Sequence, residues 1–93
     1  MARSNVELSE HELIERYIER HPGKPGIAEA RLRDYGISVR ALAGHLRALH
    51  GDAPRLAASY EIPIEAVDAA LAYYRRHQTL IDAFIAANES DDL

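Results

Sequence analysis

The side chains able to do chemistry are sparse in this sequence and poorly spaced for a reaction centre. Histidines stand at His11, His21, His45, His50 and His77. His45 and His50 are five apart, so they do not share a helix face, and no His-x-x-x-His pair occurs. A zinc site needs about four ligands in defined geometry. The chain has no cysteine, and nothing else supplies such a set. Ser9, Ser38 and Ser59 read as helix caps or surface residues, because no nucleophile–base constellation surrounds them. No glycine-rich phosphate loop and no paired-carboxylate motif is present. The expectation is a protein that is not an enzyme and takes neither metal nor cofactor.

Arginine is the residue type left to carry binding. Arg31, Arg33, Arg40, Arg47 and Arg55 fall in the segment 20–55, which has a net charge of +4. Segment 1–19 carries −3 and segment 56–93 carries −5, so the whole chain is at −4. That total argues against a strong nucleic-acid binder, while the basic middle allows a local patch for phosphates or for an acidic partner. If Ala30 to Arg33 forms a strand that pairs across a dimer, Arg31 and Arg33 become a ribbon suited to operator DNA. The plainer alternative is a set of solvated charges paired with Glu29, Asp34 and the acidic helix ends.

These residues must be held by helices. Ninety-three residues with 47% hydrophobic content make one domain, 1–93, with a mainly aliphatic core. The absence of cysteine fits a reducing cytoplasm, no signal peptide is visible at the start, and no apolar run reaches membrane-spanning length. The first eight residues carry no pattern and read as loose. Ser9 with Glu12 three residues later gives a capping box, opening an N-terminal helix over 8–20 that ends at His21-Pro22-Gly23. Residues 21–37 are the least regular, a loop turning at Pro25 and Gly26, with a short β-hairpin near 28–37 as the alternative. Ser38 caps the next helix, with Val39, Leu42, Ala43, Leu46, Leu49 and His50 on its inner face and Gly51 closing it. Asp52 caps a short third helix, and together these fill 38–62.

Pro63 is expected to start one long C-terminal helix over 63–87, about 38 Å at 1.5 Å per residue. Ile64, Val67, Leu71, Tyr74, Gln78, Ile81 and Ile85 follow a three-four seam, and Ala66, Ala70, Tyr73, His77, Leu80 and Phe84 form a second one beside it. The acidic tail from Asn88 reads as frayed. So small a core cannot cover so long a helix. Tyr73, Leu80, Ile81, Phe84 and Ile85 are therefore expected to form a surface for a dimer partner or another protein, with the N-terminal helix on the other seam.

Residues 56–71 carry the marks of a helix-turn-helix: small Ala57 where two helices cross, apolar Ile62 after the turn, and Val67 as the anchor of the second helix. Glu61 stands at the usual turn glycine, where a left-handed backbone would strain it. The expected fold is all-α, a homeodomain-like helix-turn-helix core with an extra helix before it and a long helix at its end.

The run Tyr60-Glu61-Ile62-Pro63-Ile64-Glu65-Ala66-Val67-Asp68-Ala69-Ala70-Leu71-Ala72-Tyr73-Tyr74 resembles the signature end of the domain of unknown function four-three-three family. That pattern is a tyrosine, a short turn, an apolar residue, then Glu-x-Val-x-Ala-Ala-Leu and an aromatic pair. His21-Pro22-Gly23, Ile37-Ser38-Val39 and Ala41-Leu42 match its upstream order, so the likeness spans roughly 17–78. Where that family carries a Gly-Thr-Arg-Ile hairpin, the stretch compared here is Asp34-Tyr35-Gly36-Ile37, which lacks the threonine and the arginine. The resemblance implies an antitoxin-like role of the VapB type: a homodimer that binds a partner toxin, a PIN-like nuclease, and its own operator DNA. An arginine could then occupy the carboxylate cluster of the nuclease. Base reading by the last helix fits poorly, because its leading outward positions, taken as Pro63, Glu65, Ala66, Asp68 and Ala69, hold two acids and no good donor to a base edge. A homodimeric interaction module without DNA binding is the competing reading.

Overall fold

The computed structural model describes residues 9–24 and 26–91, with side chains described as far as Ala87. The expected loose start over 1–8 and the turn proline Pro25 lie outside the described residues. Ser9 opens α1 (Glu10–Tyr17) with a full capping box. Glu12 N–H donates to Ser9 Oγ at 3.2 Å, and Ser9 N–H donates to Glu12 Oε1 at 3.0 Å. The helix stops three residues short of the expected end. Ile18–Glu19 is instead a strand, β1, paired antiparallel with β2 (Arg31–Leu32) in the register Ile18–Leu32 and Glu19–Arg31. Burial explains the choice, since this pairing places Ile18 and Leu32 together in the core. Arg33 completes the helix end: its Nη2 donates to Glu15 O and Ile18 O, both at 3.0 Å, satisfying carbonyls that a helix end leaves without partners.

A 3-10 helix, Ile27–Glu29, precedes β2. After β2 the chain turns back through Gly36, at φ 70°. Leu32 N–H bonds Ile37 O at 2.7 Å, and Arg31 bridges to Ser38. The hairpin foreseen near 28–37 thus forms inside one chain. β2 has β1 on one edge and Ser38 on the other, so it cannot serve as a ribbon paired across a dimer.

α2 (Val39–Ala48) is capped by Ser38 Oγ, which accepts from Ala41 N–H at 3.1 Å. It ends earlier than expected, through Leu49, with His50 and Gly51 both at positive φ. His50 is exposed rather than on the inner face. α3 (Ala53–Tyr60) is capped by Asp52, whose Oδ1 accepts from Arg55 N–H at 3.1 Å. Glu61 then takes the left-handed conformation itself, at φ 57° and ψ 46°, so the turn keeps its path without glycine. Ile62 N–H returns to Ala57 O at 3.0 Å.

α4 (Ile64–Arg76) is the spine, with α1, α2 and α3 all packed on it. Ala66, Ala69, Ala70 and Ala72 are buried along it together with Val67 and Tyr73. Small side chains allow three helices to approach one axis closely. Ala66 and Ala69 are therefore core residues, not the outward positions the sequence suggested.

The single long helix over 63–87 is not formed. α4 ends at Arg76, His77 takes φ −127° and ψ 29°, and α5 (Gln78–Asp91) begins directly after it. The helical backbone also runs past Ala87, through the stretch expected to fray. α5 changes direction at His77 and packs against the 3-10 helix and α4, and Ile81 is buried to 1% exposure. A straight helix would have left that side chain in water. The described residues are thus mostly helical, with five α-helices and one small two-stranded antiparallel sheet. No helix among the described residues is long and apolar enough to cross a membrane.

Candidate interaction surfaces

The five central arginines do not act together. Arg31 lies on β2 and its Nε donates to Glu19 Oε2 across the sheet at 2.8 Å. Arg33 is tied to the end of α1. Arg40, on α2, reaches Glu29 of the 3-10 helix at 3.4 Å, and its guanidinium carbon sits 5.2 Å from the centre of the Phe84 ring, within cation–π range. Arg47 donates from Nη2 to Tyr74 Oη at 3.3 Å. Arg55, exposed at the start of α3, forms no ion pair among the described residues. Four of the five therefore hold the fold together. Asp34-Tyr35-Gly36-Ile37 forms the turn that carries the chain from β2 back to Ser38.

The leading face of α4 offers no better base-reading chemistry. Its exposed residues are Pro63, Ile64, Glu65 and Asp68. Tyr17 Oη donates to Glu65 Oε1 at 2.9 Å, joining α1 to α4. Burial, with the nearby Glu65 carboxylate, pushes the Tyr17 phenol above its usual range. The other end of α1 is fastened by Glu10, which pairs with Arg75 at 2.9 Å and Arg76 at 3.4 Å. The Arg75 hydrogen bond draws the Glu10 carboxyl below its ordinary value.

The residues expected as an apolar partner surface separate into two groups. Tyr73 and Ile81 are buried within the chain. Tyr73 Oη donates to Ile27 O at 3.1 Å, and burial raises its phenol pKa. Phe84 and Ile85 are half-buried, while Leu80 is 56% exposed. Leu80, Ala83 and Phe84 face Ile27 and Ala28 across an open groove of about 460 Å³ whose walls are apolar apart from Glu29.

One network went unforeseen. Tyr74 Oη accepts from Arg47 and donates to Asp82 Oδ1 at 2.6 Å, so it links α2, α4 and α5 across the bend. The Asp82 acceptor raises the Tyr74 pKa first, with burial adding to it. The partners are 27 and 8 residues apart in sequence, and no local pattern reports such contacts. His45 and Tyr60 likewise meet edge-on, 5.5 Å between ring centres. Among the described residues, no group of three or more His, Asp or Glu side chains is placed to hold a metal ion.

No protein-family model matches the chain, and no curated protein or solved structure shows significant similarity to it.

Proposed function

We propose that this chain is an antitoxin-like binding protein without catalytic activity. It works in the cytoplasm as a homodimer and acts by occupying a protein partner, a toxin of the PIN-like nuclease type. α3, the Glu61 turn and α4 form a homeodomain-like helix-turn-helix used as a scaffold rather than as a reader of bases. The observation that carries the interaction reading is the exposed Leu80 beside the apolar groove between α5 and the 3-10 helix. Apolar surface left open on a small domain favours a partner.

The resemblance over Tyr60–Tyr74 supports the scaffold half of this reading. Val67, Ala69, Ala70 and Tyr73 lie in the core, and Glu65 receives the Tyr17 hydroxyl. Each of these positions serves the packing of α4. The competing operator-binding role loses weight from the same geometry: carboxylates lead α4, and Arg31 and Arg40 are already paired with Glu19 and Glu29. Phosphate contacts need cations that are free to replace counterions. Arg55 is the arginine best placed to enter a partner's carboxylate cluster.

Light scattering on the free protein, with a salt titration against its own upstream DNA in the same buffer, tests the reading. The expected result is a dimer mass and no sequence-selective binding. A monomer at every concentration overturns it. So does selective DNA binding that weakens steeply with salt and disappears with Arg47→Ala and Arg55→Ala. Against a nuclease encoded beside it, Arg55→Ala is expected to weaken inhibition about tenfold or more, given the worth of charge-assisted hydrogen bonds.

A further inference from the structure

The bend between α4 and α5 is not set by the usual kink residues. Arg75-Arg76-His77-Gln78-Thr79 contains neither proline nor glycine, the residues at which sharp helix kinks commonly fall. The apolar seam of α4 continues past the bend at helical spacing, through Tyr74, Gln78, Ile81 and Ile85. Besides the His77 ring packed on Tyr73, 4.5 Å between centres, the contacts that hold the bend lie between α5 and the rest of the chain: Ile81 in the core, Phe84 beneath Arg40, and the Tyr74–Asp82 hydrogen bond.

Straightening His77 into helix would separate Tyr74 and Asp82 by about 12 Å along the axis. The N–H groups of Gln78, Thr79 and Leu80, which open α5 without helical acceptors, would gain the carbonyls of the preceding turn. Ile81 and Phe84 would leave their seats, and the vacated seat would match the α5 of another copy. Every contact broken within one chain can then be remade between two. Such exchange of an identical element is a low-cost route to a dimer.

We propose that two copies associate by exchanging α5. In the dimer α4 and α5 form one continuous helix, and each α5 packs on the 3-10 helix and α4 of the other copy. Leu80, in the first turn after the bend, then falls where the two straightened helices cross, which accounts for its exposure in the closed chain. This inference deepens the homodimer reading and rests on it.

The test uses the full chain, which has no native cysteine. Chains carrying Tyr74→Cys are mixed with chains carrying Asp82→Cys, unfolded together, refolded at high concentration and treated with a short bismaleimide. A covalent product joining two chains is expected, because exchange brings position 74 of one copy beside position 82 of the other. The double variant in a single chain, refolded at high dilution, is expected to link internally and so report the closed form. If these substitutions unfold the chain, Ala28→Cys with Ala83→Cys, which line the same groove, are used in the same design. A dimer by light scattering that yields no cross-chain product overturns the exchange and leaves the dimer reading standing. A monomer at every concentration overturns both.

Discussion

Glu61 holds a left-handed backbone, a conformation that costs a residue with a Cβ about 1–2 kcal/mol. Glycine adopts it freely but gives the unfolded chain more freedom to lose. Glu61→Gly is therefore expected to raise stability by about 0.5–1 kcal/mol, read as a higher urea midpoint at unchanged slope. Tyr74 makes a second residue-scale prediction. Its phenol is raised above the ordinary value near 10 by the bond to Asp82. A raised phenol holds its proton more tightly in the folded chain. The stability it contributes is complete below pH 10 and is lost as pH climbs through the folded-state value. Tyr17 and Tyr73 are shifted in the same direction, so the fold is expected to weaken in alkali. Tyr74→Phe should cost about 1 kcal/mol at neutral pH and make the alkaline decline of urea stability shallower. The capping residues Ser9, Ser38 and Asp52 were legible in the sequence because a cap is a contact across three residues. Among the arginine partners Glu29 was anticipated, whereas Glu19 and Tyr74, 12 and 27 residues from Arg31 and Arg47, were not, because no local pattern spans such separations.

At the scale of elements, α2, α3 and α4 could be read from apolar spacing and turn residues, and the bend at His77 could not. A three-four seam looks the same whether a helix runs straight or bends, since the same side chains are apolar in both. The end of α1 was misplaced for a related reason. His21-Pro22-Gly23 is a sound stop signal, but the pairing of Ile18 with Leu32 across 14 residues ends the helix earlier. Long-range burial outweighed local preference in both places. The strength of the α5 docking can be measured directly. Ile81 is fully enclosed, so Ile81→Ala should cost roughly 2–5 kcal/mol from lost burial and the cavity left behind. Ile85, half-buried on the same seam, should cost less when cut to alanine. Equal losses in urea denaturation would mean that α5 does not dock as described.

For the whole molecule, apolar spacing and capping residues indicated correctly that helices would dominate, while segmental charge alone did not say where the arginines would sit. Two arginines of the basic middle segment fold against acids, Arg31 on Glu19 of the preceding segment and Arg40 on Glu29 of its own. The acidic N-terminal segment is used the same way in reverse, with Glu10 on Arg75 and Arg76. Opposite charges distributed along a chain pair up as it compacts, and only their positions in space decide what a partner meets. On α5 the exposed large apolar side chain is Leu80, more exposed than Tyr35 or Ile64 among the described residues. In the lone chain Leu80 contributes little to the core, so Leu80→Glu should leave the stability of a dilute sample within about 0.5 kcal/mol of the original, as surface substitutions usually do. Where two copies meet, the same change would bring two carboxylates into an apolar contact, and burial of unpaired charge is strongly disfavoured. Self-association is then expected to fall by at least about tenfold, which corresponds to 1.4 kcal/mol. Sedimentation equilibrium over a concentration series, run beside urea denaturation of the dilute protein, separates the two effects. Lost association with unchanged folding places Leu80 at the contact between copies; unchanged association removes the exposed face of α5 from the interface.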